Sequence, residues 1–190
     1  ASERSLGRTF VFLGKEHAVQ MLPNFNFSQV DLVFFAAGAE VAQQYVPEAL
    51  RLGCQVVDTS SAFREDMDAP FCVAGMNDDV ISLSTEDIVV GPNCCVIPLV
   101  KALHVFQYEN LERVDVATYQ SVSGAGRQAL QKLQQQSEQG LDEPYHYNIN
   151  AQIGAVAEHG YHDEEWKIIH ETRRLLPHAS YMIHPQAVRV

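Results

Sequence analysis

Apolar runs set off by small and polar residues divide this chain. Val30-Asp31-Leu32-Val33-Phe34-Phe35-Ala36-Ala37-Gly38 predicts a buried strand that ends in small residues. Ala39 to Leu52 carries helical spacing, and Gln55-Val56-Val57-Asp58 predicts the next strand. A hydroxyl-rich loop with one arginine follows, Thr59-Ser60-Ser61-Ala62-Phe63-Arg64. Ile88-Val89-Val90 is a third short β-branched run, turned by Gly91-Pro92 into helical spacing over Leu99 to Phe106. Upstream, Arg8 to Leu13 predicts a strand, with a Gly14-Lys15 turn into a second one. This β-α-β order implies an α/β protein with a parallel sheet and ligands at the carboxyl ends of its strands. After residue 110 the pattern changes. Arg113 to Val122 alternates like a half-exposed strand, and Ser123-Gly124-Ala125-Gly126 opens a helix at Arg127 to Leu133. The glutamine-rich tract 134–139 reads as surface. Trp166 to Leu176 is an amphipathic helix with an acidic start, and the chain stops within a further strand.

The chemistry converges on Gly91-Pro92-Asn93-Cys94-Cys95. Pro98 has no N–H, so it belongs in a first helical turn, which places the helix start near Cys94 or Cys95. A thiol there meets the positive end of a helix dipole and free backbone N–H groups, conditions that favour thiolate. The same N–H groups are available to a developing oxyanion. The competing reading is an inert packing cysteine, and it suits Cys95 better than Cys94, which directly follows the turn. Arg64 lies on the same strand edge, either as an anion clamp or as a plain surface arginine. Ser2, Arg4 and Ser5 either grip a phosphate or form a solvated terminus. The small residues Ala37 and Gly38 admit a ligand backbone or only tight packing. Ser123-Gly124 cradles a pyrophosphate or an amide, or merely caps a helix. Glu164 and Lys167 share a helix face, as a surface ion pair or as a base and a cation aimed into a cleft.

Composition narrows the partners. At 190 residues the chain holds one large domain or two small ones, and 46% hydrophobic residues suffice for a core. A net charge of −11 argues against nucleic acid and anionic membrane. It leaves room for an anionic small molecule held by local cations. The four cysteines include no C-x-x-C pair, which suits a reducing, cytoplasmic setting. The eight histidines show no metal-ligand spacing, so no metal site is expected. No membrane-length apolar run or signal peptide is visible. Without an initiating Met, and with a strand cut at Val190, the chain reads as an internal fragment.

Read in order, several stretches resemble aspartate-β-semialdehyde dehydrogenase. They are Ser2-x-Arg4-Ser5-x-Gly7, Phe34 to Gly38, Asp58 to Arg64, Pro92-Asn93-Cys94, Thr118 to Gly126, Glu164-Glu165-Trp166-Lys167 with Glu171-Thr172-Arg173, and Val188-Arg189-Val190. The resemblance implies a glyceraldehyde-phosphate-dehydrogenase-like fold. Residues 1–93 would be the remnant of a Rossmann-like NADP-binding domain, and 94–190 a mixed α+β catalytic and dimerisation domain. It implies NADPH-dependent reduction of aspartyl phosphate in the lysine, threonine and methionine branch, by a homodimer. Cys94 would be the nucleophile that forms a thioester, which splits one hard reduction into two steps. Gln120 and Glu164 would hold the amino acid, and Arg189 its carboxylate. Arg64, Asn93 and Lys167 would hold the phosphate. Arg4 and Ser5 would meet the cofactor 2′-phosphate, with Ala37, Gly38, Ser123 and Gly124 along the rest of the cofactor. The family's glycine-rich turn would precede Ala1, and its general acid/base histidine would follow Arg189. Ala74-Gly75-Met76-Asn77 and Ala151 depart from its usual Pro-Glu-Val-Asn and Pro. Two other readings are the sister reduction of N-acetylglutamyl phosphate and a non-catalytic dimerising paralogue.

Overall fold

The computed structural model describes residues 3–83, 87–106, 109–139, 145, 146, 148–157 and 159–190. A hairpin opens it. Strand β1 (Thr9–Phe12) pairs antiparallel with β2 (Lys15–Ala18). Leu13 and Gly14 between them both take positive φ, 49° and 75°, the turn backbone that matches the twist of paired strands.

Next comes a parallel sheet in the order β3-β4-β5, formed by Leu32–Phe35, Gln55–Asp58 and Ile88–Val90. Helix α1 (Ala39–Arg51) makes the first crossover and buries Ala42, Val46 and Ala49. The second crossover includes the short α2 (Asp79–Leu83). Sequence predicts β3 as buried, but Leu32 and Phe34 are 46% and 67% exposed while Phe35 is buried. The reason is position. Leu32 and Phe34 share one face of β3, and a parallel strand is buried on both faces only where layers cover both.

Helix α3 (Val96–Val105) follows β5, and α5 (Asp163–Leu175) packs against it. Val96 and Val100 of α3 and Ile168 and Leu175 of α5 share one core with Phe35, Val46, Val56 and Val90. The apolar core therefore continues past Asn93 without a break. Strand β6 (Arg113–Gln120) and β7 (Met182–Arg189) pair in parallel over their full length, from Arg113 opposite Met182 to Gln120 opposite Arg189. Ile183, Ala187 and Arg189 are buried, whereas Asp115, Tyr119, Met182 and Gln186 face out. Between these strands, α4 (Arg127–Gln139) takes in the glutamine-rich tract, and Gln136 is buried rather than on the surface. Among the described residues, no helix is long and apolar enough to cross a membrane.

Candidate active site

The turn after β5 is built around Asn93, which is buried. Its Oδ1 accepts from the Cys95 N–H at 2.7 Å, and its Nδ2 donates to Glu164 Oε1 at 3.0 Å. Its own N–H donates to Glu171 Oε2 at 2.5 Å. Its carbonyl accepts from the N–H groups of Val96 (2.9 Å) and Ile97 (3.2 Å). An Asx turn thus caps α3 from two residues ahead of its N-cap, Cys95. This corrects one expectation. The N–H groups of Cys95, Val96 and Ile97 already serve Asn93, so they are not free to receive an oxyanion.

Within this fixed turn Cys94 is exposed, while Cys95 is half-buried against the core. Burial pushes the Cys95 thiol up to about 12, with Cys94 and Glu164 adding to the rise and Arg189 opposing it. Cys95 therefore stays protonated near neutral pH, and Cys94 is the sulfur that solvent reaches.

Helix α5 supplies the opposite wall. Glu164, Lys167, Glu171 and Arg174 recur at helical spacing along one face. Glu164 is buried, and its Oε2 lies 3.9 Å from Lys167 Nζ. Donor atoms of Cys94, Cys95 and Glu164 lie within 4.8 Å of one another, a grouping compatible with a metal ion and containing no histidine. Glu171 pairs with Arg64 at 3.1 Å. Burial raises the Glu171 carboxyl pKa, and the Asn93 N–H, Arg64 and Lys167 pull it back. Arg174 donates to the carbonyls of Arg64, Asp66 (2.7 Å) and Ala69 (2.9 Å) and stacks 4.7 Å over the Phe71 ring. That clasp anchors the loop which carries Arg64.

Arg64 is no open surface cation. It donates through Nε to Gly91 O and through Nη2 to Thr59 O, both at 3.0 Å, besides its Glu171 pair. Across the site, Arg189 Nη1 donates to Gln120 Oε1 (3.2 Å) and Ser121 O (3.0 Å) at the ends of β7 and β6. Gly124 lets the guanidinium come close, since a Cβ on it would lie 2.7 Å from Arg189 Nη1 and push that group aside. Ser123 N–H donates to Ser121 Oγ at 3.2 Å.

The fold thus joins Asn93, Cys94, Glu164 and Lys167 directly, adds Arg64 through Glu171, and pairs Gln120 with Arg189. Ser123 and Gly124 sit beside that pair. Ala37 and Gly38 are exposed at the start of α1, where Gly38 takes φ 98° and ψ 166°. Ser5 closes a short 3₁₀ turn and accepts from the Arg8 N–H at 3.2 Å through its carbonyl. Ser2 and the Arg4 side chain lie outside the described residues. Sequence reasoning named Glu171 only within a motif, without a role, and missed Arg174. Their signal was the helical spacing from Glu164 and Lys167.

Residues 1–84 match the semialdehyde dehydrogenase NAD binding domain, and residues 98–190 match the semialdehyde dehydrogenase dimerisation domain. An aspartate-semialdehyde dehydrogenase of Legionella pneumophila is 38% identical across all of this chain and 58% of its own length. The crystal structure of aspartate semialdehyde dehydrogenase II from Vibrio cholerae superposes with a TM-score of 0.91 at 35% identity. That match covers 100% of this chain and 60% of the other. The chain belongs to the aspartate-semialdehyde dehydrogenase family. A second structure of the Vibrio cholerae protein, complexed with ASA, matches equally well, with a TM-score of 0.91. The chain spans about 60% of the length of these family members. In this family frame, Ala37 and Gly38 belong to the NAD binding domain, and Gln120, Glu164, Lys167 and Arg189 to the dimerisation domain. Ala36, Ala37 and Gly38 are exposed at the carboxyl end of β3, where small side chains leave room for the backbone of a ligand such as a dinucleotide.

Proposed function

We propose that this protein reduces L-aspartyl 4-phosphate to L-aspartate 4-semialdehyde with NADPH, releasing phosphate, through a thioester on Cys94. One observation carries the reading. Cys94 is exposed in a turn whose flanking Pro92 and Asn93 are buried, with the Glu164 carboxylate beside it. In this reading the Cys94 sulfur attacks the acyl carbon and phosphate departs with the electrons of the broken C–O bond. Arg189, preset by Gln120, takes the substrate α-carboxylate, for which its planar fork is suited. Glu164 takes the α-ammonium. Lys167 and the remaining donors of Arg64 take the phosphate. Asn93 acts mainly through the turn, since its polar atoms are already committed. Arg4, Ser5, Ala37, Gly38, Ser123 and Gly124 would lie along NADP. When bound, NADPH supplies the hydride that releases the aldehyde.

The division of labour is a cofactor part over 1–93 and a catalytic, dimerising part over 94–190. The homodimer is proposed from the relatives' dimerisation domain. The cytoplasm suits four free cysteines. The reaction belongs to the lysine, threonine and methionine branch.

Alkylation of the full protein tests the nucleophile. Iodoacetamide should label Cys94 ahead of Cys72 and Cys95, and phosphate with aspartate semialdehyde should protect it. Cys94→Ser should lower turnover by about a thousandfold or more. A Cys94→Ser protein that still turns over at a comparable rate would remove the thioester from the mechanism. An N-acetylated acyl phosphate should be refused, because it offers Glu164 no ammonium.

A further inference from the structure

Glu171 is the most heavily engaged buried charge that the proposed chemistry leaves without a task. It is 3% exposed and stands between donors from two other segments. Its Oε2 takes the Asn93 N–H at 2.5 Å, and its Oε1 takes Arg64 Nη1 at 3.1 Å. One carboxylate therefore ties α5 to the turn that carries Cys94 and to the loop after β4. A buried ion pair is often no better for stability than apolar packing of the same volume, so stability alone does not account for a charge here.

Arg64 supplies the second half of the argument. Arginine has five N–H donors, and three are spent here on Gly91 O, Thr59 O and Glu171, which leaves two. Three fixed bonds set the plane of the guanidinium, so the direction of the remaining two donors is decided before any ligand arrives. Glu171 is the one charged partner of the three.

We propose that Glu171 is a positioning residue, which holds the Asn93–Cys94 turn and sets the Arg64 plane so that sulfur and departing phosphate meet in one orientation. The proposal rests on the reading of Cys94 as nucleophile and Arg64 as a phosphate ligand. Glu171 touches neither substrate nor cofactor. It acts through its two partners.

Glu171→Gln in the full protein tests this. The amide keeps the shape but offers one acceptor oxygen and an NH₂, so either the Asn93 N–H or Arg64 meets a donor. The rate of Cys94 alkylation by iodoacetamide, read by peptide mapping on folded protein, should fall by about tenfold. In the reverse reaction the KM for inorganic phosphate should rise by about tenfold, while the KM for aspartate semialdehyde moves by less than about twofold. Glu171→Asp keeps the charge and should recover part of both. A purely structural Glu171 predicts something else: a lower melting temperature, with folded protein that alkylates at the wild-type rate and keeps its phosphate KM. That result overturns the proposal. If wild type shows no turnover yet alkylation still slows in Glu171→Gln, positioning of the turn stands and the functional reading falls. Should Glu171→Gln not fold, Arg64→Lys keeps the charge and loses the fork. An unchanged phosphate KM in that variant equally overturns the proposal.

Discussion

Two helices of this protein start at the carboxyl edge of the same sheet, and they start in opposite ways. Helix α3 follows β5 through Asn93, whose backbone and side-chain polar atoms are all tied down. Helix α1 follows β3 through Gly38, which has no side-chain cap, a backbone at φ 98°, and open space around it. Both ends carry the positive pole of a helix dipole. At α3 the dipole's first N–H groups are consumed internally, and one exposed sulfur is left over. At α1 no side chain of the N-cap takes them. The first arrangement suits a reacting atom that must not move. The second suits a ligand that brings its own acceptors. A helix start is thus a fixed support or an open cradle according to what precedes it by one or two residues.

The contrast can be broken most forcefully at Asn93. Asn93→Ala leaves the Cys95 N–H and Glu164 Oε1 without their partner, at a cost of about 3 kcal/mol. Urea unfolding should report that loss, and Cys94 alkylation should slow with it. Wild-type stability would mean that the turn is held by backbone alone. At Gly38 the expected cost of Gly38→Ala is smaller, about 1–2 kcal/mol, since that φ and ψ are almost glycine's alone while no atom stands in the way of a methyl group. A rise in the KM for NADPH with no loss in Cys94 alkylation would sharpen the comparison. A drop in alkylation would merge the two helix starts into one unit. The mildest probe is pH. Cys95, pushed up to about 12, should label about tenfold faster per pH unit through pH 9–11, well below its midpoint. Labelling of Cys95 that levels off near pH 9 would show a thiol less desolvated than its burial implies.

Much of this was legible along the chain. Periodicity located β3, α1, β4, β5, β6 and α5, and Pro98 placed the start of α3 within one or two residues, because local sterics decide those features. Three matters were not legible. The exposure of Leu32 and Phe34 depends on whether a second layer covers β3, which an apolar run does not encode. The expectation of free N–H groups at α3 failed because an asparagine side chain can substitute for water at a helix start. The partners of Arg64 were also hidden.

By itself the sequence determined the elements, the acidic balance, and the cysteine poised where a strand turns into a helix. It also carried the set of motifs that marks the family. Only the tertiary structure decided what holds that cysteine in place. Glu171 reaches Asn93 across 78 positions and Arg64 across 107. No local propensity specifies such contacts. They exist because α5 packs on α3 and lays one polar face along the sheet edge. There, burial makes an unpaired charge costly and leaves each carboxylate few partners to choose from.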